Sequence, residues 1–201
     1  MSLDWSEAEA YLCKADPVLK KVVERTGACE LSAQEGGFVT VADSIIGQQL
    51  SNKVARVLRA RFRTLFSDGV PEAQQTLVLD DEALRRCGFS RAKMRYVRAL
   101  AEAVVSGKLD FESVHQANDE AVVQTLTELP GIGRWTAEMY LIFALNRPDV
   151  LPLGDAAVVA ALRSLYPLPE KQWEPQALEI AEPWRPWRSV ASWYLWRHHS
   201  S

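Results

Sequence analysis

Residues 129 to 137 read Leu-Pro-Gly-Ile-Gly-Arg-Trp-Thr-Ala, and about twenty residues past the tryptophan, beyond an apolar run, stands a single carboxylate, Asp155. Gly131 and Gly133 leave backbone N–H groups uncovered, and a helix starting at Thr136-Ala137 adds outward amides and the positive end of its dipole. That arrangement suits a phosphate, although Gly-x-Gly by itself more often marks an ordinary tight turn. Asp155 suits charge chemistry, because a carboxylate stabilises positive charge developing on a substrate and can orient or deprotonate a water. It also follows Pro152 and Gly154 and precedes an apolar run, so it reads as the N-cap of a helix over residues 156 to 165. Seven tryptophans offer electron-rich faces that attract a cation, each contact contributing about 0.5–2 kcal/mol.

The elements that carry these residues read as helical almost throughout. Val54, Val57, Leu58, Phe62 and Leu65 fall on one helical stripe, and so do Met94, Val97, Ala101, Val104 and Val105. Asn118-Asp119-Glu120 has the form of a helix start, with a capping residue and then acids in the first turn. Pro130 ends the helix before the hairpin, and the one after it is expected to run to about Leu145. Gly27, Gly36-Gly37, Gly69, Gly88 and Gly107 punctuate the chain, alternating strand patterns are scarce, and there is no internal repeat or long linker.

With 201 residues, 48% of them hydrophobic, the chain can bury a core of its own. Its longest apolar runs, Met139 to Leu145 and Ala156 to Leu162, are seven residues each, against roughly 20 needed to span a bilayer. No membrane is expected as a partner. The opening Met-Ser-Leu-Asp-Trp-Ser-Glu lacks the order of a secretory signal, so the expected location is cytoplasmic. Cys13, Cys29 and Cys87 are far apart and His115 stands alone, which argues against a metal cage of side chains. His198 and His199 lie almost at the chain end, where disorder is expected. The net charge of −3 hides two basic stretches. Ser51 to Arg63 holds five bases and no acid, and Arg85 to Arg98 holds six and no acid. Such stretches permit contact with a nucleic-acid backbone and also fit solvated helix faces.

Five stretches together carry a resemblance: Ser44-Ile45-Ile46-Gly47-Gln48-Gln49-Leu50-Ser51, Leu84 to Lys93, the hairpin, Arg147 to Asp155, and Trp184-Arg185-Pro186-Trp187-Arg188-Ser189. In them the chain resembles the 3-methyladenine DNA glycosylase II family of the helix-hairpin-helix DNA glycosylase superfamily, in a compact form without the N-terminal β-rich domain of larger members. The resemblance implies an all-α, two-lobed fold with the active site in the cleft between lobes. One lobe would span about 40–130; the other would combine the N-terminal segment with about 131–201, the hairpin lying at 127–137. It implies a monomer that excises alkylated bases such as 3-methyladenine and 7-methylguanine from double-stranded DNA and leaves an abasic site. Glycosylases for oxidised, deaminated or mismatched bases, or a non-catalytic DNA-binding module, are the alternatives.

By the same resemblance Asp155 is the catalytic residue, and Trp135, Trp187, Met139, Ala156 and Phe38 line the base pocket. Met139 and Ala156 stand where the best-known bacterial member has rings. Gln48, Gln49, Ser51, Gly131, Gly133, Arg134 and Thr136 are DNA contacts, with Gln49 filling the gap left by the rotated nucleotide. The other tryptophans (Trp5, Trp173, Trp184, Trp193, Trp196) read as packing. Bifunctional relatives carry a lysine in place of Trp135; tryptophan forms no Schiff base, so a monofunctional hydrolase is expected. No cofactor is required, but carbonyls of Thr127, Leu129 and Ile132 correspond to those that hold a sodium or potassium ion in such hairpins.

Overall fold

The structure, a computed structural model, describes residues 4–33 and 36–200, with only the backbone of Asn52; the first three residues of the N-terminal opening lie outside them. Among the described residues there are helices and no strands. In chain order the helices are α1 (Ser6–Ala15), α2 (Pro17–Thr26), α3 (Phe38–Gly47), α4 (Asn52–Arg63), α5 (Ala73–Val78), α6 (Asp81–Arg86), α7 (Arg91–Val105), α8 (Phe111–Gln116), α9 (Asp119–Thr127), α10 (Arg134–Phe143), α11 (Ala156–Leu165), α12 (Glu174–Ala181) and α13 (Arg188–His199), with a 3₁₀ turn at Glu182–Trp184.

Side-chain caps set most of the starts. Asp16 caps α2, with Pro17 preset at its first position, and Ser51, Asp80, Ser90, Asp110, Asn118 and Asp155 cap α4, α6, α7, α8, α9 and α11. α11 spans the residues expected of it. α10 begins two residues earlier than the sequence suggests and stops two short, at Phe143.

The chain divides into two compact units, Gln34–Tyr140 and the combination of Met1–Ala33 with Leu141–Ser201. The hairpin and most of α10 therefore belong to the central unit, whereas the sequence reading put residues from about 131 onward with the terminal segments. In the central unit α7 packs on α3 and α5, and α4 on α3. Phe62 lies edge-on to Phe66 and tilted against Phe89, with ring centroids 5.1 and 5.3 Å apart. Burying such a ring contributes about 1.5–3 kcal/mol. The buried line of α4 is Ala55, Leu58 and Phe62; Val54 and Val57, expected inside, are exposed. Arg59 explains the phase: its Nε donates to Asp43 O on α3, which turns that side of α4 inward.

In the terminal unit α13 packs on α11, α2 and α1. Every residue from Ser189 to Leu195 is buried, as expected of a helix surrounded by others. His198, expected to lie in a disordered end, sits instead in the last turn of α13. Its Nδ1 accepts from Arg25 at 2.7 Å and its Nε2 meets Ser164 Oγ at 3.2 Å, tying α13 to α2 and α11.

Candidate active site

Asp155 is reached by a loop that α13 holds in place. Asp149 is bound by Arg188, whose Nε donates to Oδ1 at 2.6 Å and whose Nη2 donates to Oδ2 at 3.1 Å, and Arg185 reaches the same carboxylate. Buried Ser189 accepts from the Val150 amide at 3.0 Å, donates to Arg147 O at 2.6 Å, and its amide donates to Pro148 O at 2.9 Å. Two of the sequence stretches singled out above, Arg147 to Asp155 and Trp184 to Ser189, are thus stitched together. Asp155 itself is half-buried. Its Oδ1 accepts from the amides of Ala157 (2.9 Å) and Val158 (3.0 Å) and from Trp196 Nε1 (3.0 Å). The Trp196 ring stacks on Phe143 at 5.5 Å and 25°. An anion fixed this way, beside the positive end of α11, is preorganised to meet developing positive charge with little rearrangement.

Trp196, read from sequence as packing, is therefore a positioning residue for the carboxylate. Trp187 is half-buried and meets Trp5 edge to face at 6.2 Å, while Trp5 is pinned by its Nε1 donating to Leu31 O at 2.7 Å. Trp5 thus backs a candidate pocket wall in addition to packing. Ala156, the first residue of α11, is exposed.

The central unit carries the hairpin. Leu129 and Ile132 are buried and anchor it, and the Ile132 amide donates to Leu129 O at 3.1 Å. Gly131 turns at φ +83°, and a Cβ there would lie 2.2 Å from the Tyr96 ring, so close approach as well as conformation requires glycine. Gly133 is exposed and faces open space. The first N–H groups of α10 have no partner within the helix, as at any helix start, and lie beside it. Trp135 is 36% exposed, the most open of the expected pocket rings, whereas Met139 and Phe38 are each 8% exposed. Arg134 is paired with Glu120 (3.2 Å) and Glu138 (3.1 Å), which offset its charge. Burial pushes the Glu138 carboxyl up from its ordinary pKa against the pull of Arg134.

Of the other expected DNA contacts, Gln49 is exposed at the tip of its turn. Gln48 turns its amide onto Gly131 O (2.8 Å) and Thr136 Oγ1 (3.4 Å), Thr136 is buried, and Ser51 Oγ accepts from the Val54 amide at 3.5 Å as the cap of α4. Lys93, which the sequence offers as a charge and as the end of the Leu84 to Lys93 stretch, donates from Nζ to Ile45 O (3.2 Å), Ile46 O (2.7 Å) and Gln48 O (2.7 Å). Burial first, and then the nearby Arg59 guanidinium, lower its pKa. Asp155, Ala156 and Trp187 thus share the terminal unit, and Trp135, Met139, Phe38, the hairpin and the glutamine turn share the central one. No group of three or more His, Cys, Asp or Glu among the described residues could hold a metal ion, and none of their helices is long and apolar enough to cross a membrane.

Comparison with known proteins places these residues in context. The model of the HhH-GPD superfamily of base excision DNA repair proteins matches residues 42–186. A DNA-3-methyladenine glycosylase 1 of Schizosaccharomyces pombe is 32% identical over 197 residues, covering 96% of this chain and 86% of the relative. Among solved structures, the S. pombe 3-methyladenine DNA glycosylase in complex with abasic DNA superposes with a TM-score of 0.87 at 33% identity, covering 95% of each chain. A DNA-3-methyladenine glycosidase from Bacillus halodurans gives 0.85 at 32% identity, covering all of this chain and 93% of that one.

Proposed function

The chain belongs to the HhH-GPD superfamily of base excision DNA repair proteins, and we infer that it is a DNA-binding glycosylase hydrolysing the N-glycosidic bond of alkylated bases, 3-methyladenine and 7-methylguanine among them, in double-stranded DNA. The observation that carries the chemistry is Asp155, a half-buried carboxylate oriented through Oδ1 by two amides and the Trp196 indole. An alkylated purine already bears positive charge, so the C1′–N bond breaks with its electron pair leaving on the base and demands no strong general acid. The sugar is left as an oxocarbenium-like cation. Asp155 stabilises that charge and accepts a proton from the water that adds at C1′, leaving an abasic site. One carboxylate is therefore enough where O-glycoside hydrolysis uses a pair.

The remaining assignments are carried over from the family resemblance, and residue type and exposure are compatible with them. Trp135 in the central unit and Trp187 in the terminal unit each carry an indole face suited to a cationic base by stacking and cation–π attraction. Met139 and Ala156 stand where the best-known bacterial member has rings, which favours a wider range of adducts. The hairpin amides of Gly131, Gly133 and Thr136 take the phosphates near the lesion, with Arg134 sharing its charge between them and its two carboxylates. Gln49 enters the duplex. Trp135 has no amine to attack the sugar, so the strand stays intact until another enzyme acts. A sodium or potassium ion on the carbonyls of Thr127, Leu129 and Ile132 would stiffen the hairpin. Leu129 O already accepts from Ile132 N, and a carbonyl carries a second lone pair that a cation can use. The protein acts as a monomer, in the cytoplasm.

The test is base release from methylated duplex DNA, the freed bases identified by chromatography and the strands then run on a denaturing gel with and without alkali. Release of 3-methyladenine with nicks appearing only after alkali is the expected result. No methylated base released overturns the substrate assignment; nicks without alkali overturn the hydrolytic one.

A further inference from the structure

Residues 47 to 50 form a tight turn. The Leu50 amide donates to Gly47 O at 3.2 Å, Gln48 lies at φ −54°, ψ 134°, and Gln49 at φ 59°. This is the type II pattern, whose second corner favours glycine because the backbone there is left-handed. A glutamine at that corner is strained and persists only where its surroundings over-determine it.

Lys93 supplies that determination. All three N–H groups of its ammonium are used, on Ile45 O, Ile46 O and Gln48 O, the carbonyl end of α3 and the first corner of the turn. A helix C-terminus favours a cation, yet Lys93 stands in the first turn of α7, where its own helix disfavours one. Its placement serves α3 and the turn more than α7. From the other side the Gln48 amide donates to Gly131 O, and Tyr96, one turn along α7 from Lys93, packs beneath Gly131. The turn is thus fastened to α7 through its main chain and to the hairpin through Gln48, and Gln49 remains as its exposed member.

We propose that Lys93 is a positioning residue for base eversion: it holds the Gln48–Gln49 turn in its strained form before DNA arrives, so that Gln49 enters the duplex without the loop rearranging. This rests on the reading of Gln49 as the residue that fills the gap. A preset plug matters most when a stable base pair must be opened, because unpairing is costliest there and least for a mismatched base.

Single-turnover excision of one alkylated base is therefore measured from two duplexes, one with the lesion correctly paired and one with it mispaired, with Tm recorded for each variant. Lys93→Met keeps the aliphatic stem and removes the three donors. Excision from the paired duplex is expected to fall roughly tenfold to a hundredfold, with a much smaller loss on the mispaired one. Lys93→Gln, which keeps two donors, gives a milder loss with the same selectivity and carries the test if Lys93→Met does not fold. Equal losses on the two duplexes would make Lys93 a purely structural residue and overturn the proposal, as would no loss on either. Gln49→Ala separates the underlying reading. Selective loss on the paired duplex supports the plug reading on which the proposal rests, and wild-type rates or equal losses on both duplexes remove Gln49 as the plug and the eversion role of Lys93 with it.

Discussion

Asp16 and Asp155 share the same local geometry in the terminal unit, as caps of α2 and α11, but differ in their surroundings. Each caps a helix by accepting two backbone amides on Oδ1, Val18 and Leu19 in one case, Ala157 and Val158 in the other, and each takes an indole N–H as well. At Asp16 the indole is Trp184, which donates to Oδ2 at 2.9 Å together with the Tyr166 hydroxyl at 2.8 Å, and the residue is 8% exposed. Both oxygens are occupied and water is kept out. At Asp155 the amides and the Trp196 indole all meet Oδ1, and the residue is half-buried at the start of α11. A carboxylate with donors on both oxygens is a staple between elements. One that stays half-buried at a helix start can be reached from outside, as the role proposed for Asp155 requires. The cap geometry is shared, so the surroundings decide the role.

The comparison breaks first at Asp16. Asp16→Ala leaves the buried Trp184 N–H and Tyr166 hydroxyl without their acceptor, and is expected to cost about 3 kcal/mol or more, read by denaturant unfolding, while the excision rate per folded molecule stays at the wild-type value. A loss of excision out of proportion to the unfolded fraction would show that the two aspartates are not separable. Next comes Trp196→Phe, which keeps a ring against Phe143 and removes the indole donor to Asp155. A hydrogen bond to a charged group contributes about 1.5–3 kcal/mol, so the single-turnover rate should fall roughly tenfold to a hundredfold with little change in DNA affinity. A wild-type rate would mean that the amides alone orient the carboxylate.

The smallest effect is in pH. His198 joins α13 to the two helices that these aspartates cap, through Arg25 on α2 and Ser164 on α11. Burial, then Arg25 and His199, lower its pKa. The folded protein thus binds the His198 proton less readily than the unfolded chain. The stabilisation is present above the unfolded value near 6.5 and is lost as pH falls through the folded value. Tm measured across pH 8 to 5 for wild type and His198→Gln should show a slightly shallower acid decline in the variant. Superimposable profiles would remove His198 from the account.

Much of this was legible in the sequence where the signal is local. Asp155 followed by an apolar run announces both a cap and the bounds of α11, and Leu-Pro-Gly-Ile-Gly announces the hairpin because proline and glycine act through their own backbone. What escaped depends on partners far along the chain. Trp196 meets Asp155 across 41 residues, and Asp16 meets Tyr166 and Trp184 across 150 and 168. Nothing in the types of these residues says which tryptophan finds which carboxylate. Lys93 read as one more charge in a basic stretch, since its three acceptors are main-chain carbonyls that leave no mark on composition. The α4 stripe was misplaced by one position because apolarity alone was counted, and Arg59, a charged residue, is among those facing α3. His198 lies close to the chain end, yet its two partners hold it in a formed helix.

The central claim, that Asp155 performs the chemistry and is not merely a cap, is tested most directly by single-turnover release of 3-methyladenine by Asp155→Asn, with Tm and binding to a duplex carrying a stable abasic-site analogue measured on the same preparation. Asparagine is as good a cap and retains an oxygen for Ala157, Val158 and Trp196, so stability should change by less than about 0.5 kcal/mol and binding should persist. The release rate should fall roughly 10²- to 10⁴-fold. A rate within a few-fold of wild type, with fold and binding intact, would contradict the account.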